Sequence, residues 1–96
     1  GFDVAKFTGL RCESPVAIAE VPADILRTHV LSMNDDSIDA IVQIGTNLSM
    51  TAMALQLQDE LGKPVVAINT ATYWHALRAV GITDQVVGHG PLLQYH

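Results

Sequence analysis

Ile41–Leu48 reads IVQIGTNL, an apolar run that stops at a glycine and two small hydrogen-bonding residues. The apolar part predicts a buried strand, and the polar part predicts the start of a helix. In open α/β sheets, ligands bind where strands end and helices begin, because backbone N–H groups are free there. Gly45, Thr46 and Asn47 are therefore the first candidates for a binding site.

Strand and helix patterns alternate along the whole chain. Strands are predicted over Phe2–Phe7, Ile38–Ile44, Val65–Ile68 and, as a short edge strand, Val86–Val87. Helices are predicted over Pro15–Glu20, from Pro22 to Met33, from about Leu48 to Leu61 with an end at Gly62, and from about Ala71 to Val80. The alternation predicts one α/β domain over residues 1–96, three-layered, with a mostly parallel sheet of about four strands flanked by helices.

Composition excludes several classes of function. The 96 residues carry a net charge of −5 with only five Lys or Arg, which disfavours nucleic acid as a partner. No apolar run approaches the roughly 20 residues of a membrane span, so no membrane association is expected. Cys12 is the only cysteine and the four histidines are dispersed. We therefore expect no disulfide, no metal site and a reducing, cytoplasmic location.

Two successive strands end in similar polar residues. Asn69 and Thr70 follow the strand at Val65–Ile68, as Thr46 and Asn47 follow the strand before it. Since parallel strands end at one edge of a sheet, both sets are expected together. Helix capping is the simplest explanation for Thr46 and Asn47. Their convergence with a glycine and a second strand end also suits binding of a small carboxylate.

Three segments together resemble the second half of proteins in the aspartate/glutamate racemase superfamily, most like its maleate isomerase and arylmalonate decarboxylase branch. They are Asp39–Leu48, Glu60–Val66 and Asn69–Thr72, and the resemblance extends from Gly1–Gly9 to Gly88–Leu93. It implies that the chain is the C-terminal half of a two-domain protein whose active site lies in the cleft between two similar halves. The start at Gly1, without methionine, agrees with a fragment of a longer protein.

The resemblance also implies a chemistry. Such proteins act without a cofactor at a carbon next to a carboxylate, with cysteines as acid, base or nucleophile and backbone amides holding the carboxylate. In the second half, the cysteine directly precedes the Thr-Asn pair, and that position here is Gly45. No catalytic residue is therefore expected in this half. The expected substrate-binding residues are Gly45, Thr46, Asn47, Asn69, Thr70 and Ser14, the last in the loop after the first strand.

Three hypotheses about function follow. The leading one is half of a cofactor-independent isomerase, racemase or decarboxylase acting on a small (di)carboxylic acid. The reactive cysteine is then expected in a missing N-terminal half. Either that half or another copy of the chain, in a homo-oligomer, is expected to cover the exposed sheet edge. The second is a non-catalytic carboxylate-binding or regulatory homologue. A flavodoxin-like domain is weaker, because the strand ends lack an acidic cluster and no aromatic-flanked loop suggests a flavin.

The remaining cysteine and histidines have simpler structural explanations. Cys12 has no feature that lowers its pKa, so an inert thiol is expected. His29 lies on the apolar stripe of its helix, and packing accounts for His75. His89 lies between two glycines and is more open to a functional role, although a flexible tail is the simpler interpretation.

Two further groups are interpreted as structural. Asp35, Asp36 and Asp39 precede a strand, so they are expected at the edge opposite the candidate site. Met50 and Met53 have helical spacing and are expected in the core.

Overall fold

The computed structural model describes all residues from Gly1 to His96. Five helices and two strands follow in chain order: α1 (Pro15–Ala19), α2 (Ala23–Met33), β1 (Ile41–Gln43), α3 (Thr51–Leu61), β2 (Val65–Ala67), α4 (Ile68–Ala79) and α5 (Pro91–Tyr95). The predicted α/β class is confirmed, as are α1, α2 and α3 close to their expected bounds.

The sheet consists of β1 and β2, paired in parallel with Ile41 opposite Val65 and Gln43 opposite Ala67. Helix α3 is the crossover between them. β1 is shorter than the predicted Ile38–Ile44, because Ile38 lies in the preceding loop, where its carbonyl accepts a hydrogen bond from Lys63 Nζ at 2.7 Å. Its pairing ends at Gln43 because β2 passes directly into α4 after Ala67.

The two outer strands predicted from the sequence are wrong. Phe2–Phe7 is exposed to solvent along its whole length and forms no strand. Its Lys6 side chain instead pairs with Asp35 in the loop before β1. Val86–Val87 forms no strand either. Strand propensity describes a fit to a half-buried pleated surface, and neither segment has a ladder partner. The four-stranded sheet and the three layers are therefore not confirmed.

One apolar cluster of eight buried residues holds the elements together. It combines residues of α2, α3 and β2 with two residues that precede α3: Leu26, Val30, Leu48, Met50, Ala54, Leu57, Val65 and Ala67. Leu57 is 0% exposed and Met50 is 2% exposed. Met53 packs against the cluster, so the core role predicted for both methionines is confirmed.

Helix ends follow the signals in the sequence. The Ser14 hydroxyl accepts a hydrogen bond from Ala17 N at 3.1 Å and caps α1, with proline at the first helical position. Gly62 ends α3 in the left-handed conformation, with φ of 64°. Gly62 thus ends the crossover helix, after which the chain enters β2 at Val65, parallel to β1.

Beyond the core, several large apolar side chains remain uncovered. Val42 is 62% exposed and Ile44 is 66% exposed, on a sheet of only two strands. The two residues lie two positions apart along the chain, one within β1 and one just beyond it. No helix combines the length and the apolar character that a membrane crossing requires.

Candidate active site

The turn after β1 carries the first candidate binding residues of the sequence. Leu48 N donates to the carbonyl of Gly45 at 3.2 Å and closes a turn over Gly45–Leu48. α3 begins only at Thr51, with Met50 at its N-cap position and no side-chain cap. The predicted capping role of Thr46 and Asn47 is therefore wrong. The reason is packing, because Leu48 and Met50 enter the core before the helix begins.

The backbone of this turn is rich in free donors. The N–H groups of Gly45, Thr46 and Asn47 donate to no acceptor in the protein. The same holds for the first three residues of α3, Thr51–Met53, as expected for an uncapped helix start. Unpaired N–H groups and the positive end of a helix dipole both favour an anion. We call Gly45–Asn47 the carboxyl-edge loop.

Gln43 joins the two strand ends. Its side-chain carbonyl accepts from Ile68 N at 3.4 Å, and its side-chain N–H group donates to the carbonyl of Gly45. Gln43 thus links the carboxyl-edge loop to the start of α4. This residue was not among those predicted from the sequence. The available signal was a single polar residue within the apolar run of β1.

Asn69 and Thr70 lie in the first turn of α4 rather than in a loop. The helix begins at Ile68, so the predicted start at Ala71 is wrong. No loop is needed, because Gln43 supplies the acceptor for Ile68 N. Asn69 Nδ2 donates to the carbonyl of Thr46 at 3.0 Å. The structure therefore places the two polar strand ends together, as expected.

Asn47 and Ser14 lie on the other flank of the carboxyl-edge loop. Asn47 Nδ2 donates to the carbonyl of Pro15 at 3.4 Å, which brings the loop before α1 next to β1. Ser14 therefore lies near the candidate site, but its oxygen already accepts from Ala17 N. Cys12, in the same loop, is half-buried and unpaired.

Gly45 is not required by the backbone. Its φ lies outside the left-handed region, and a Cβ built there would meet only Gln43 Nε2, at 3.5 Å. A Cβ therefore fits at this position, and the nearest atoms do not impose glycine. With glycine, the loop can bind and orient a carboxylate, but it offers no side chain that could move a proton there.

A cavity of about 380 Å³ lies beside the start of α4, and we call it the tail cavity; none of its lining residues belongs to the carboxyl-edge loop. Thr51, Asn69 and Thr70 line it on one side, and the Thr51 and Thr70 hydroxyl oxygens lie 3.5 Å apart. Its other lining residues are Tyr73, Val86, His89 and Leu93. The sequence did not identify Tyr73, Val86 or Leu93 as site residues, because only the folded tail brings them together.

The other histidines lie elsewhere. His29 is half-buried in α2, and His75 is exposed on α4 with its ring 6.3 Å from that of Trp74. No three His, Cys, Asp or Glu side chains lie together as the ligands of a metal ion would.

The acidic residues before β1 lie at the opposite edge of the sheet from the carboxyl-edge loop. Lys6 and Ser37 hydrogen-bond to the Asp35 carboxylate, and together they hold its pKa well below the ordinary value of 3.8. Lys63 Nζ also donates to the Asp35 carbonyl at 3.0 Å. This loop is thus fixed by two lysines from outside it, which is a structural role.

Comparison with known proteins identifies relatives of the chain. The family of arylmalonate decarboxylases matches residues 1–93. A maleate isomerase from Alcaligenes faecalis is 26% identical over 94 residues, which cover 97% of this chain and 37% of that protein. The chain thus spans little more than a third of the length of this curated relative. No solved structure matches the chain with significant similarity.

Proposed function

This chain belongs to the arylmalonate decarboxylase family, and on that basis we propose that it is the carboxylate-binding half of a cofactor-independent enzyme. The enzyme is an isomerase, racemase or decarboxylase acting on a small mono- or dicarboxylic acid. The family and the maleate isomerase both support this class, since the family is named for decarboxylation and that relative for the isomerisation of maleate.

The free backbone donors of the carboxyl-edge loop carry this proposal. A carboxylate bound there accepts hydrogen bonds from consecutive N–H groups of Gly45, Thr46 and Asn47, none of which has a partner within the chain. As the neighbouring carbon loses a proton or a carboxyl group, negative charge moves onto the bound carboxylate. Fixed donors stabilise that charge most strongly when it develops, which lowers the barrier.

The proton-transferring group comes from outside this half. Gly45 has no side chain, and nothing in the loop replaces it. A second half, joined to this chain or supplied by another copy, covers the exposed apolar side chains Val42 and Ile44 and contributes a cysteine. The active site is then the cleft between the two halves. The coverage of 37% of the maleate isomerase supports such a two-part arrangement.

A second candidate function is carboxylate binding without turnover. Gly45 favours it, because the backbone and the nearest atoms would accept a Cβ there, and the chain nevertheless has glycine. A regulatory or binding homologue would keep the free N–H groups and lose the reactive group.

Titration of the chain with maleate, followed by two-dimensional NMR of backbone amides, tests the binding step. We expect the amide signals of Gly45, Thr46 and Asn47 to shift with saturation, because their N–H groups acquire an acceptor. The amides of Asp35 and Ser37, at the opposite edge, serve as the control and should not move. Unchanged signals at all three loop amides would refute carboxylate binding at this site.

A second measurement separates the two candidate functions. The chain joined to its N-terminal half is assayed with maleate, aspartate and phenylmalonate. Turnover that disappears when the cysteine of that half is replaced by serine supports the enzyme. Binding of the same acids without turnover supports the non-catalytic homologue. The 96-residue chain alone should be inactive in either case.

A further inference from the structure

Gln43 is a polar residue at a place in the sheet where the chain is otherwise apolar. It is the last residue of β1, and its neighbours in the run over residues 41–44 are isoleucine and valine. Its side chain is half-buried, beside Ala67 on the paired strand. A half-buried amide is costly unless its hydrogen bonds are made. The partners of the Gln43 amide therefore decide what this residue does.

The two partners allow only one orientation of the Gln43 amide. Ile68 N is a donor and lies 3.4 Å from Oε1. The carbonyl of Gly45 is an acceptor and receives a hydrogen bond from Nε2. A flipped amide would set donor against donor and acceptor against acceptor. The end of the amide that donates hydrogen bonds therefore faces the carboxyl-edge loop.

The bond to Gly45 acts on a whole peptide group of this loop. The chain has no cis peptide bond, so the carbonyl of Gly45 and the N–H of Thr46 point in opposite directions in one plane. A bond that holds the carbonyl thus also holds the N–H of Thr46, which donates to no acceptor in the protein. Hydrogen bonds to a carbonyl also polarise its peptide group, which strengthens the N–H as a donor.

This link is made at the candidate site and not at a distance from it. A Cβ built on Gly45 would meet one atom within 4 Å, Nε2 of Gln43, at 3.5 Å. Asn69 holds the next peptide group in the same manner, since its Nδ2 donates to the carbonyl of Thr46 at 3.0 Å. Two side-chain amides, one from β1 and one from α4, therefore hold two successive peptide groups of the carboxyl-edge loop.

We propose that Gln43 is a positioning residue, which holds the Gly45–Thr46 peptide group so that the Thr46 N–H meets a bound carboxylate in a fixed orientation. This inference rests on the proposed function, in which the carboxylate lies on the carboxyl-edge loop. A donor that is already oriented loses little freedom on binding, so the affinity depends on Gln43 without contact between Gln43 and the ligand. A merely structural Gln43 would serve only Ile68 N, at the start of α4.

A matched pair of substitutions separates these two roles. Gln43→Met removes both hydrogen bonds with little change in side-chain length. Gln58→Met is the control, because Gln58 Oε1 accepts from Val65 N at 3.3 Å, a bond of the same kind at the start of β2. Gln43→Glu is the second test variant. Its ionised carboxylate still accepts from Ile68 N but cannot donate to Gly45.

Three measurements are made on the chain and its variants. Urea unfolding should show a similar loss of stability in Gln43→Met and Gln58→Met. Calorimetry with maleate should show a loss of affinity of about three- to tenfold in Gln43→Met and wild-type affinity in Gln58→Met. Two-dimensional NMR without ligand should show a shifted Thr46 amide signal in Gln43→Glu, whereas the Ile68 amide keeps its slow hydrogen exchange.

Several results would overturn the proposal. Wild-type maleate affinity in Gln43→Met would show that Gln43 serves only the start of α4. Equal losses of affinity in Gln43→Met and Gln58→Met would show that affinity merely follows stability. If Gln43→Met does not fold, an unmoved Thr46 amide signal in Gln43→Glu decides against the proposal. These results leave the carboxyl-edge loop as a binding site, whereas absence of maleate binding in the wild type would remove the proposed function as well.

Discussion

The side-chain amide of Asn69 donates to the backbone carbonyl of Thr46 at 3.0 Å and so joins the first turn of α4 to the turn that follows β1. Asn69 is exposed, and the net contribution of such a bond to stability is about 0.5–1.5 kcal/mol. Its main effect is on position, because it fixes the carboxyl-edge loop against the neighbouring helix.

Substitution of Asn69 should therefore weaken carboxylate binding more than it weakens the fold. For Asn69→Ala we expect a loss of maleate affinity of about three- to tenfold, since the loop donors are less well fixed. Asn69→Asp should lose more, because its carboxylate repels the ligand. Calorimetry measures both, with Gln56→Ala as an exposed amide control on α3. Wild-type affinity in Asn69→Ala would contradict a positioning role.

Gly45→Cys should be accepted by the fold and should produce a thiol that senses the ligand. A Cβ at this position makes only an ordinary contact at 3.5 Å, so the free energy of unfolding should change by less than about 1 kcal/mol. In a Cys12→Ser background, maleate should slow alkylation of the thiol at position 45. Thr72→Cys, exposed on α4, is the control and should react equally with and without maleate. Equal rates at position 45 would place the ligand elsewhere.

The Lys6 and Asp35 pair should make stability depend on pH in acid. The pKa of Asp35 lies below 3.8 in the folded chain, chiefly because Lys6 hydrogen-bonds to its carboxylate, with Ser37 contributing. The unfolded chain thus binds more protons in this window. The stabilisation is present above about pH 4 and is lost as pH falls through the folded pKa. Both side chains are partly exposed, at 39% and 46%, so the effect should be small.

Urea unfolding between about pH 6 and pH 2 measures this effect. Asp35→Asn should unfold at lower urea than the wild type at the upper end of this range, and the difference should shrink towards the lower end. Asp36→Asn, its exposed neighbour, is the matched control. A constant difference between Asp35→Asn and the wild type across the whole range would argue against a contribution from the ionised carboxylate.

Truncation of Leu57 should be the most damaging change in α3. Its side chain is 0% exposed within the cluster that joins α2, α3 and β2. Leu57→Ala should cost about 2–5 kcal/mol through lost burial and the cavity left behind. Val80→Ala, at a position 73% exposed, should cost less than about 0.5 kcal/mol. Denaturant unfolding of the two variants compares them. Equal losses would contradict the assignment of the core.

Local patterns in the sequence predicted the elements whose formation depends on nearby residues. The helical spacing of Leu26 and Val30 identified α2, and Ser14 and Gly62 marked helix ends that the structure confirms. The expected meeting of two polar strand ends was also confirmed by the contact between Asn69 and Thr46. The substrate-binding roles of these residues stay predictions until binding is measured.

Pairing with distant segments decided the features that were predicted wrongly. Phe2–Phe7 has the composition of a strand but lies exposed, with Lys6 paired to Asp35. The start of α3 at Thr51 depends on Leu48 and Met50 entering a core built by other elements. α4 begins at Ile68 rather than at Ala71, and the Gln43 side chain on the neighbouring strand accepts a hydrogen bond from Ile68 N.

By itself, the sequence determined the α/β class, the family resemblance and the glycine where a cysteine was expected, because periodicity and residue identity are local properties. Only the tertiary structure decided that the sheet has two strands, that the carboxyl-edge loop keeps free N–H groups, and that His89 lines a cavity with Tyr73. The physical reason is that strand pairing, free donors and cavities depend on which distant segments meet, and a single segment does not specify its partner.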